Sequence, residues 1–274
     1  MVESTRSTAG PLAHALALGC EALADAPAGL LTDFDGTISP IVADPSLARL
    51  MDGADGALAA LVDRLAVVAV VTGRAPLDAR RMIGVPGLLV AGNHGTEWLE
   101  PDANEPIAAP EASSVRARLD TVLAGLPDLS GVSVEHKGGS ATVHYRRASD
   151  PDAVLPAILS ALGDSDEHGI QLRHGRMSVE LRPVGFGDKG SAAHAIIERF
   201  GLRGVIVMGD DLTDLDMFRA VAERREAGRL RGAIIGVGGA DGEVPPSVVE
   251  ASDAILADPA QAAAFLAILA ESLA

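Results

Sequence analysis

The stretch Leu30-Leu31-Thr32-Asp33-Phe34-Asp35-Gly36-Thr37 constrains the fold more than any other part of the chain. A short, unbroken apolar run reads as a strand buried on both faces. The glycine after it reads as a break into a loop. Asp33 and Asp35 are thereby placed at the carboxyl end of a strand, where open α/β sheets hold their ligands. Two neighbouring carboxylates suit a divalent, oxygen-preferring cation. They can also divide the work of nucleophile and acid/base when their surroundings separate their pKa values. A solvated Asp-Gly turn would carry the same letters, so the rest of the chain must decide between the two.

The pattern returns three times. Leu65 to Val71 is a β-branched run ending at Thr72-Gly73-Arg74, Leu88 to Ala91 ends at Gly92-Asn93-His94-Gly95, and Gly204 to Met208 ends at Gly209-Asp210-Asp211. Helices are expected over Gly53 to Arg64, Pro76 to Met82, Lys189 to Phe200 and Thr213 to Ala222, the last with Thr213 as its N-cap. Two further strands, Gly232 to Val237 and Ala254 to Leu256, precede a helix over Pro259 to Leu273. Strands alternating with helices predict a parallel sheet with right-handed crossovers. Four polar strand ends then share one edge, and Lys189 opens a helix close to it.

The alternation is interrupted. After three prolines between 101 and 110 come a helix (Glu111 to Leu126), a hairpin (Val132 to Lys137 with Ser140 to Arg146, turning at Gly138-Gly139), a helix (Pro151 to Leu162) and a second hairpin (Ile170 to Arg173 with Met177 to Arg182). The expected organisation is a Rossmann-type α/β core over 28–103 and 185–274, a small inserted α+β cap domain over 104–184, and an N-terminal helical extension over 1–27. Pro101 to Pro110 and Pro183 to Gly187 are the expected hinges of cap closure. Leu12 to Cys20 superficially resembles a secretion signal, but Glu3, Arg6 and His14 argue for an ordinary Ala/Leu helix from Pro11 to Ala26.

Composition narrows the partners. A net charge of −16 argues against nucleic acid or an anionic membrane as a partner, while local Lys, Arg and metal can still reverse the field around an anionic substrate. No apolar run reaches the roughly 18 residues of a membrane span. The single cysteine excludes an intramolecular disulfide and a cysteine metal cage, and a cytoplasmic location is expected. Carboxylates for a cation and a nucleophile, Thr72 and Lys189 for an anion, and glycine turns exposing backbone N–H groups make up the equipment of phosphoryl transfer.

Asp33-Phe34-Asp35-Gly36-Thr37, Thr72, Lys189 and Gly209-Asp210-Asp211 with Asp214 resemble, in order and context, the four motifs of the haloacid dehalogenase-like (HAD) phosphatases. The resemblance spans about residues 28–260. It implies that Asp33 attacks phosphorus to give an aspartyl phosphate and that Asp35 acts as acid and then base. Thr72 and Lys189 would hold phosphoryl oxygens. Mg²⁺ would be bound by Asp33, Asp210 and the backbone carbonyl of Asp35, supported by Asp214 and Asp211. Within that superfamily, Val134 to Arg146, Gly92-Asn93-His94-Gly95 followed by Glu97, and Arg176 to Pro183 resemble the trehalose-6-phosphate phosphatases. Leu215 departs from the acidic residue usual there. The implied activity is Mg²⁺-dependent hydrolysis of trehalose 6-phosphate, with Glu135, Lys137 and Glu180 binding glucose hydroxyls from the cap. Gly73, Arg74, Asn93 and His94 are the further substrate-binding candidates. The chain is expected to act as a monomer, with any trehalose-phosphate synthase supplied in trans.

Plainer readings exist for several of these residues. Glu135 and Lys137 also fit a half-exposed strand carrying surface charges. Arg74 can bind phosphate or pair with an acid, and His94 can be a packed or capping histidine. His144 and Arg146 are read as partly structural, and Asp164 to Glu167 as a solvated turn. Gly236 to Gly239 lacks the strand–helix setting of a dinucleotide loop. The alternatives on function are a related phosphatase of sucrose 6-phosphate or mannosyl-3-phosphoglycerate, and a sugar-phosphate binding protein without turnover. The last should have lost Asp33 or Asp35, and both are present.

Overall fold

A computed structural model of the chain describes residues 10–137, 139–175, 177–238 and 244–273, with the side chain of Lys137 outside that description. In chain order its elements are α1 (Pro11–Leu23), β1 (Ala28–Thr32), α2 (Ala54–Val62), β2 (Val67–Val71), α3 (Pro76–Ile83), β3 (Leu89–Gly92), β4 (Glu97–Leu99), β5 (Ile107–Ala108), α4 (Ala112–Leu123), β6 (Ser133–Lys137), β7 (Ser140–His144), α5 (Pro151–Ala161), β8 (Ile170–Gly175), β9 (Ser178–Pro183), α6 (Lys189–Arg199), β10 (Gly204–Gly209), α7 (Leu215–Glu226), β11 (Arg231–Val237), α8 (Pro246–Ala251), β12 (Ala254–Leu256) and α9 (Pro259–Ser272). They form two compact units. One runs up to Ile107 and resumes at Asp188; the other is Ala108–Gly187.

The larger unit is built on a sheet ordered β12-β11-β10-β1-β2-β3-β4-β5. From β12 to β3 every pairing is parallel. Every residue of β1, β2 and β10 is buried, which explains why these strands read as unbroken Val/Ile/Leu runs: helices cover both faces of a parallel sheet. The chain leaves β1 toward β2 and β3 on one side and returns to β10, β11 and β12 on the other. The order therefore reverses between β1 and β10, the position at which such sheets form their binding crevice. In register, Thr32 lies beside Met208, so Asp33 emerges next to the segment that carries Asp210.

The structure departs from the sequence expectations at short elements. β4 is antiparallel to β3 and places Trp98 opposite Ala91, and α8 is a six-residue helix; both are too short to give a periodic signal. Thr213 is not a helix cap. Asp211 and Asp214 cap a single 3₁₀ turn, Leu212–Asp214, and α7 begins at Leu215. α1 buries Ala15, Gly19, Ala22 and Leu23 and belongs to the larger unit.

The smaller unit is a four-stranded antiparallel sheet ordered β6-β7-β9-β8. Ala141, Val143, Val179 and Leu181 are fully buried on one face. α4 supplies Val115, Leu119 and Val122 to its core at helical spacing. The alternate residues form a polar face, in which Glu135, Thr142, Glu180 and Arg173 are direct cross-strand neighbours in one row. Gly138 and Arg176, parts of the expected hairpin turns, lie outside the described residues, as does Gly239 of the glycine-rich loop.

Candidate active site

Asp33 follows the last residue of β1, and its N–H donates to the Met208 carbonyl at 3.0 Å. This bond carries the sheet ladder one step past the strand and fixes the carboxylate at the switch point. Opposite it, Lys189 opens α6. Asp188 caps that helix by accepting the Ser191 N–H at 2.7 Å. The first helical turn thus delivers a lysine that is 3% exposed. Its Nζ lies 2.9 Å from Asp33 Oδ1 and 2.6 Å from Asp214 Oδ1. The second oxygen of Asp214 accepts the N–H groups of Asp210 and Asp211 at 3.0 and 3.1 Å. Both oxygens of Asp214 are thus engaged by the chain, and this residue ties the β10 loop to the lysine.

Asp210 takes a different partner: Thr37 Oγ1 donates to its Oδ1 at 2.8 Å. Gly36, at φ +81°, is required beside it, because a Cβ there would sit 2.1 Å from Asp210 Oδ2. Asp33, Asp210 and Asp214 converge, with carboxylate oxygens within 4.8 Å of one another. One ammonium does not neutralise three carboxylates. Burial pushes the Asp33 carboxyl up to about 8, against the pull of Lys189 and with a further push from Asp214. Burial also raises Asp210 to about 6, partly offset by the Thr37 hydroxyl. Burial disfavours the charge on Lys189, but Asp33 and Asp214 together outweigh it and raise its pKa. An all-oxygen donor set with unmet negative charge fits a hard divalent cation. Asp33, Asp210 and Asp214 each offer an oxygen that could ligate it, and Asp214 also holds Lys189 and the Asp210 backbone. Asp211 is exposed and accepts the Leu212 N–H at 2.6 Å as a turn cap.

A cavity of about 750 Å³ opens over this cluster. Thr72, Gly73, Arg74 and His94 line it together with Asp33, Asp35, Lys189, Asp210 and Asp211. Thr72 is buried at the end of β2, and its Oγ1 accepts the Arg74 N–H at 3.2 Å. The His94 imidazole lies over Gly73, where a Cβ would come within 2.9 Å of the ring. Asn93 and His94 both take positive φ, 50° and 57°, a turn that places His94 at the cavity. Asn93 instead donates from its side chain to Glu97 at 2.9 Å. The Asp35 carboxylate is held by Arg74 through two bonds, Nε to Oδ2 at 2.6 Å and Nη2 to Oδ1 at 2.7 Å. The sequence left Arg74 open to pairing with an acid but gave no sign of which one, nor of the Lys189–Asp214 pair.

The trehalose-phosphatase family model matches residues 31–237, which spans both the cluster and the inserted unit. The chain belongs to the trehalose-phosphatase family. It is 37% identical over 273 residues to the trehalose-phosphate phosphatase of Mycobacterium avium, covering 95% of this chain and 66% of that protein. The chain thus spans less than two thirds of the length of that relative. Among solved structures, the trehalose-6-phosphate phosphatase of Aspergillus fumigatus aligns at a TM-score of 0.66 and 25% identity, over 95% of this chain and 97% of the other. A Candida albicans trehalose-6-phosphate phosphatase C-terminal domain aligns at a TM-score of 0.59 and 23% identity, over 94% and 97%. The trehalose-phosphatase fold is therefore this one: a mostly parallel Rossmann-like sheet with a small inserted unit.

In the inserted unit, Glu135 and Glu180 occupy the polar sheet face, one on each side of Thr142. Each has a basic neighbour on that face. His144 Nε2 lies 2.8 Å from Glu135 Oε2, and Arg182 Nε lies 3.1 Å from Glu180 Oε1. Lys137 ends β6, in register with Ser140; the role expected of its side chain falls outside the described residues.

Proposed function

We propose that the chain hydrolyses trehalose 6-phosphate to trehalose and inorganic phosphate. The observation that carries this is the buried Asp33–Lys189 pair, at 2.9 Å, beside Asp210 in the lining of the cavity. Asp33 would attack phosphorus as the bond to the sugar oxygen breaks, and Asp35 would give its proton to that oxygen. Water would then attack the aspartyl phosphate, and Asp35 would take the proton, which returns Asp33 and releases phosphate. Lys189 and Thr72 would face the phosphoryl oxygens. Mg²⁺ held by Asp33 and Asp210 would supply the positive charge that a carboxylate needs to approach a phosphate dianion. His94 would bound the substrate beside Gly73. Glu135, Lys137 and Glu180 would bind sugar hydroxyls, to which charged groups make the stronger hydrogen bonds.

Phosphate release with Mg²⁺ from equal concentrations of trehalose 6-phosphate, sucrose 6-phosphate, glucose 6-phosphate and mannosyl-3-phosphoglycerate tests the reading, with Asp33→Asn as blank. Strong preference for trehalose 6-phosphate is expected. Preference for another ester would keep the phosphoryl chemistry and discard the sugar assignment. No release from any would favour a binding protein.

A further inference from the structure

Arg74 has the most completely specified surroundings of any cation at the cavity wall. Its Nε and Nη2 grip both oxygens of Asp35. Its Nη1 donates to the Pro45 carbonyl at 2.8 Å and lies 3.2 Å from the Met82 sulfur. The guanidinium carbon stands 5.6 Å from the Phe34 ring centroid, and the Arg74 carbonyl accepts the Asn93 N–H at 2.8 Å. Backbone and side chain are thus fixed by the β1 loop, by α3 and by the turn after β3. Asp35 occupies the Nε–Nη2 edge of this fork and Pro45 and Met82 take Nη1, so a phosphoryl group meeting that edge would compete with Asp35.

We propose that Arg74 is the positioning residue for Asp35 and not a ligand of the phosphoryl group. This rests on the reading of Asp35 as the acid/base. The Asp35 side chain is 36% exposed in the cavity lining, and both of its carboxylate oxygens are bonded to Arg74. A planar fork bonded to both oxygens sets the plane of that carboxylate, which a point charge such as lysine cannot do. Each oxygen keeps a further lone pair for the proton it gives to the sugar oxygen and takes from water. Arg74 therefore matters in both proton transfers: the departure of a poor alkoxide leaving group, which differs between esters, and the attack of water on the aspartyl phosphate, which is common to all of them.

The test compares trehalose 6-phosphate with p-nitrophenyl phosphate, whose phenolate departs without a proton, in Arg74→Lys, Arg74→Gln, Asp35→Asn and the Arg74→Lys/Asp35→Asn double variant. A misplaced catalytic group costs about 10²-fold. That loss is expected in kcat for trehalose 6-phosphate in both Arg74 variants, with KM nearly constant. On the aryl ester the loss in kcat/KM, which covers the steps up to phenolate departure, should be only a few-fold, and this activity also reports that the variants are folded. There kcat, which includes the water attack common to both esters, falls further wherever that step limits turnover. Inhibition by inorganic phosphate should keep its constant, and Arg74→Lys should cost nothing further in the Asp35→Asn background. Equal losses in kcat/KM on both esters with weakened phosphate inhibition, or additive losses in the double variant, would make Arg74 a phosphate ligand and overturn the proposal. Loss of trehalose 6-phosphate turnover in Asp35→Asn but not in Arg74→Lys would overturn it alone. Full turnover by Asp35→Asn would remove the acid/base reading beneath it.

Discussion

The cavity of the larger unit and the polar face of the smaller one use the same chemistry, carboxylates set against cations, in opposite surroundings. Lys189, Asp33 and Asp214 are all at least nine-tenths buried and share bonds of 2.6–2.9 Å. The His144–Glu135 pair is of similar length, 2.8 Å, but its side chains are 40% and 52% exposed. Distance alone does not rank them. In the buried cluster every charge must be met by another, and removing one leaves the rest uncompensated. On the exposed face water serves as partner, and a pair contributes about 0–1 kcal/mol. In the proposed reaction the first setting would serve bond breaking, which needs fixed charges, and the second would serve hydroxyl recognition, where side chains must exchange water for sugar.

Experiments that pit the two regions against each other follow from this contrast. Asp33→Asn should abolish turnover, by at least about 10³-fold, while circular dichroism shows the fold retained. Near-wild-type phosphate release would remove Asp33 as nucleophile. Lys189→Met should destabilise the metal-free protein by about 3–5 kcal/mol in urea titration, since Asp33 and Asp214 would face each other without a cation. A change below about 1 kcal/mol would place the cluster with the surface pairs.

The pH dependence of metal-free stability should carry the same signature. Asp33 and Asp210 have folded-state pKa values raised to about 8 and about 6 from 3.8. Between those limits the folded state binds more protons than the unfolded one. Stability contributed by these groups is therefore present below pH 4 and falls as pH rises toward 8. Mg²⁺ should raise the melting temperature more at pH 8 than at pH 5, and an equal shift at both would contradict the cation site. The smallest effect is expected on the exposed face. Glu135→Gln or Glu180→Gln should raise KM for trehalose 6-phosphate about tenfold, leave p-nitrophenyl phosphate hydrolysis unchanged, and alter stability by no more than about 0.5 kcal/mol.

How much of this was legible in the sequence divides along the same line. The runs Leu30 to Thr32 and Val67 to Val71 announced themselves because parallel strands are apolar on both faces, and the polar letters ending them marked one sheet edge. Asp33, Lys189, Asp210 and Asp214 converge as that edge implied. The pairings did not show. Arg74 lies 39 residues from Asp35 and Lys189 lies 25 residues from Asp214, and no local pattern states which acid meets which base across such distances. The partner of Asp211 did not show for a related reason. Asp211 neighbours Asp210, and the backbone turn directs one of its carboxylate oxygens to the Leu212 N–H. Asn93, next to His94, is likewise turned to Glu97 by a pair of left-handed residues that letters alone do not reveal.

The placement of β1 between β10 and β2 has a consequence for biosynthesis. Thr37 and Asp210 hydrogen-bond across 173 residues of chain, and the β1–β10 pairing spans a comparable separation. As the polypeptide emerges from the ribosome, β1, β2 and β3 can assemble early, but the other edge of β1 must wait until the inserted unit and β10 have been made. During that interval an apolar strand presents an unpaired edge, the kind of surface that recruits other chains. Nascent chains truncated between Gly187 and Gly204 should therefore be those most dependent on chaperones. Full-length chains, in which β10 has covered that edge, should be released from them.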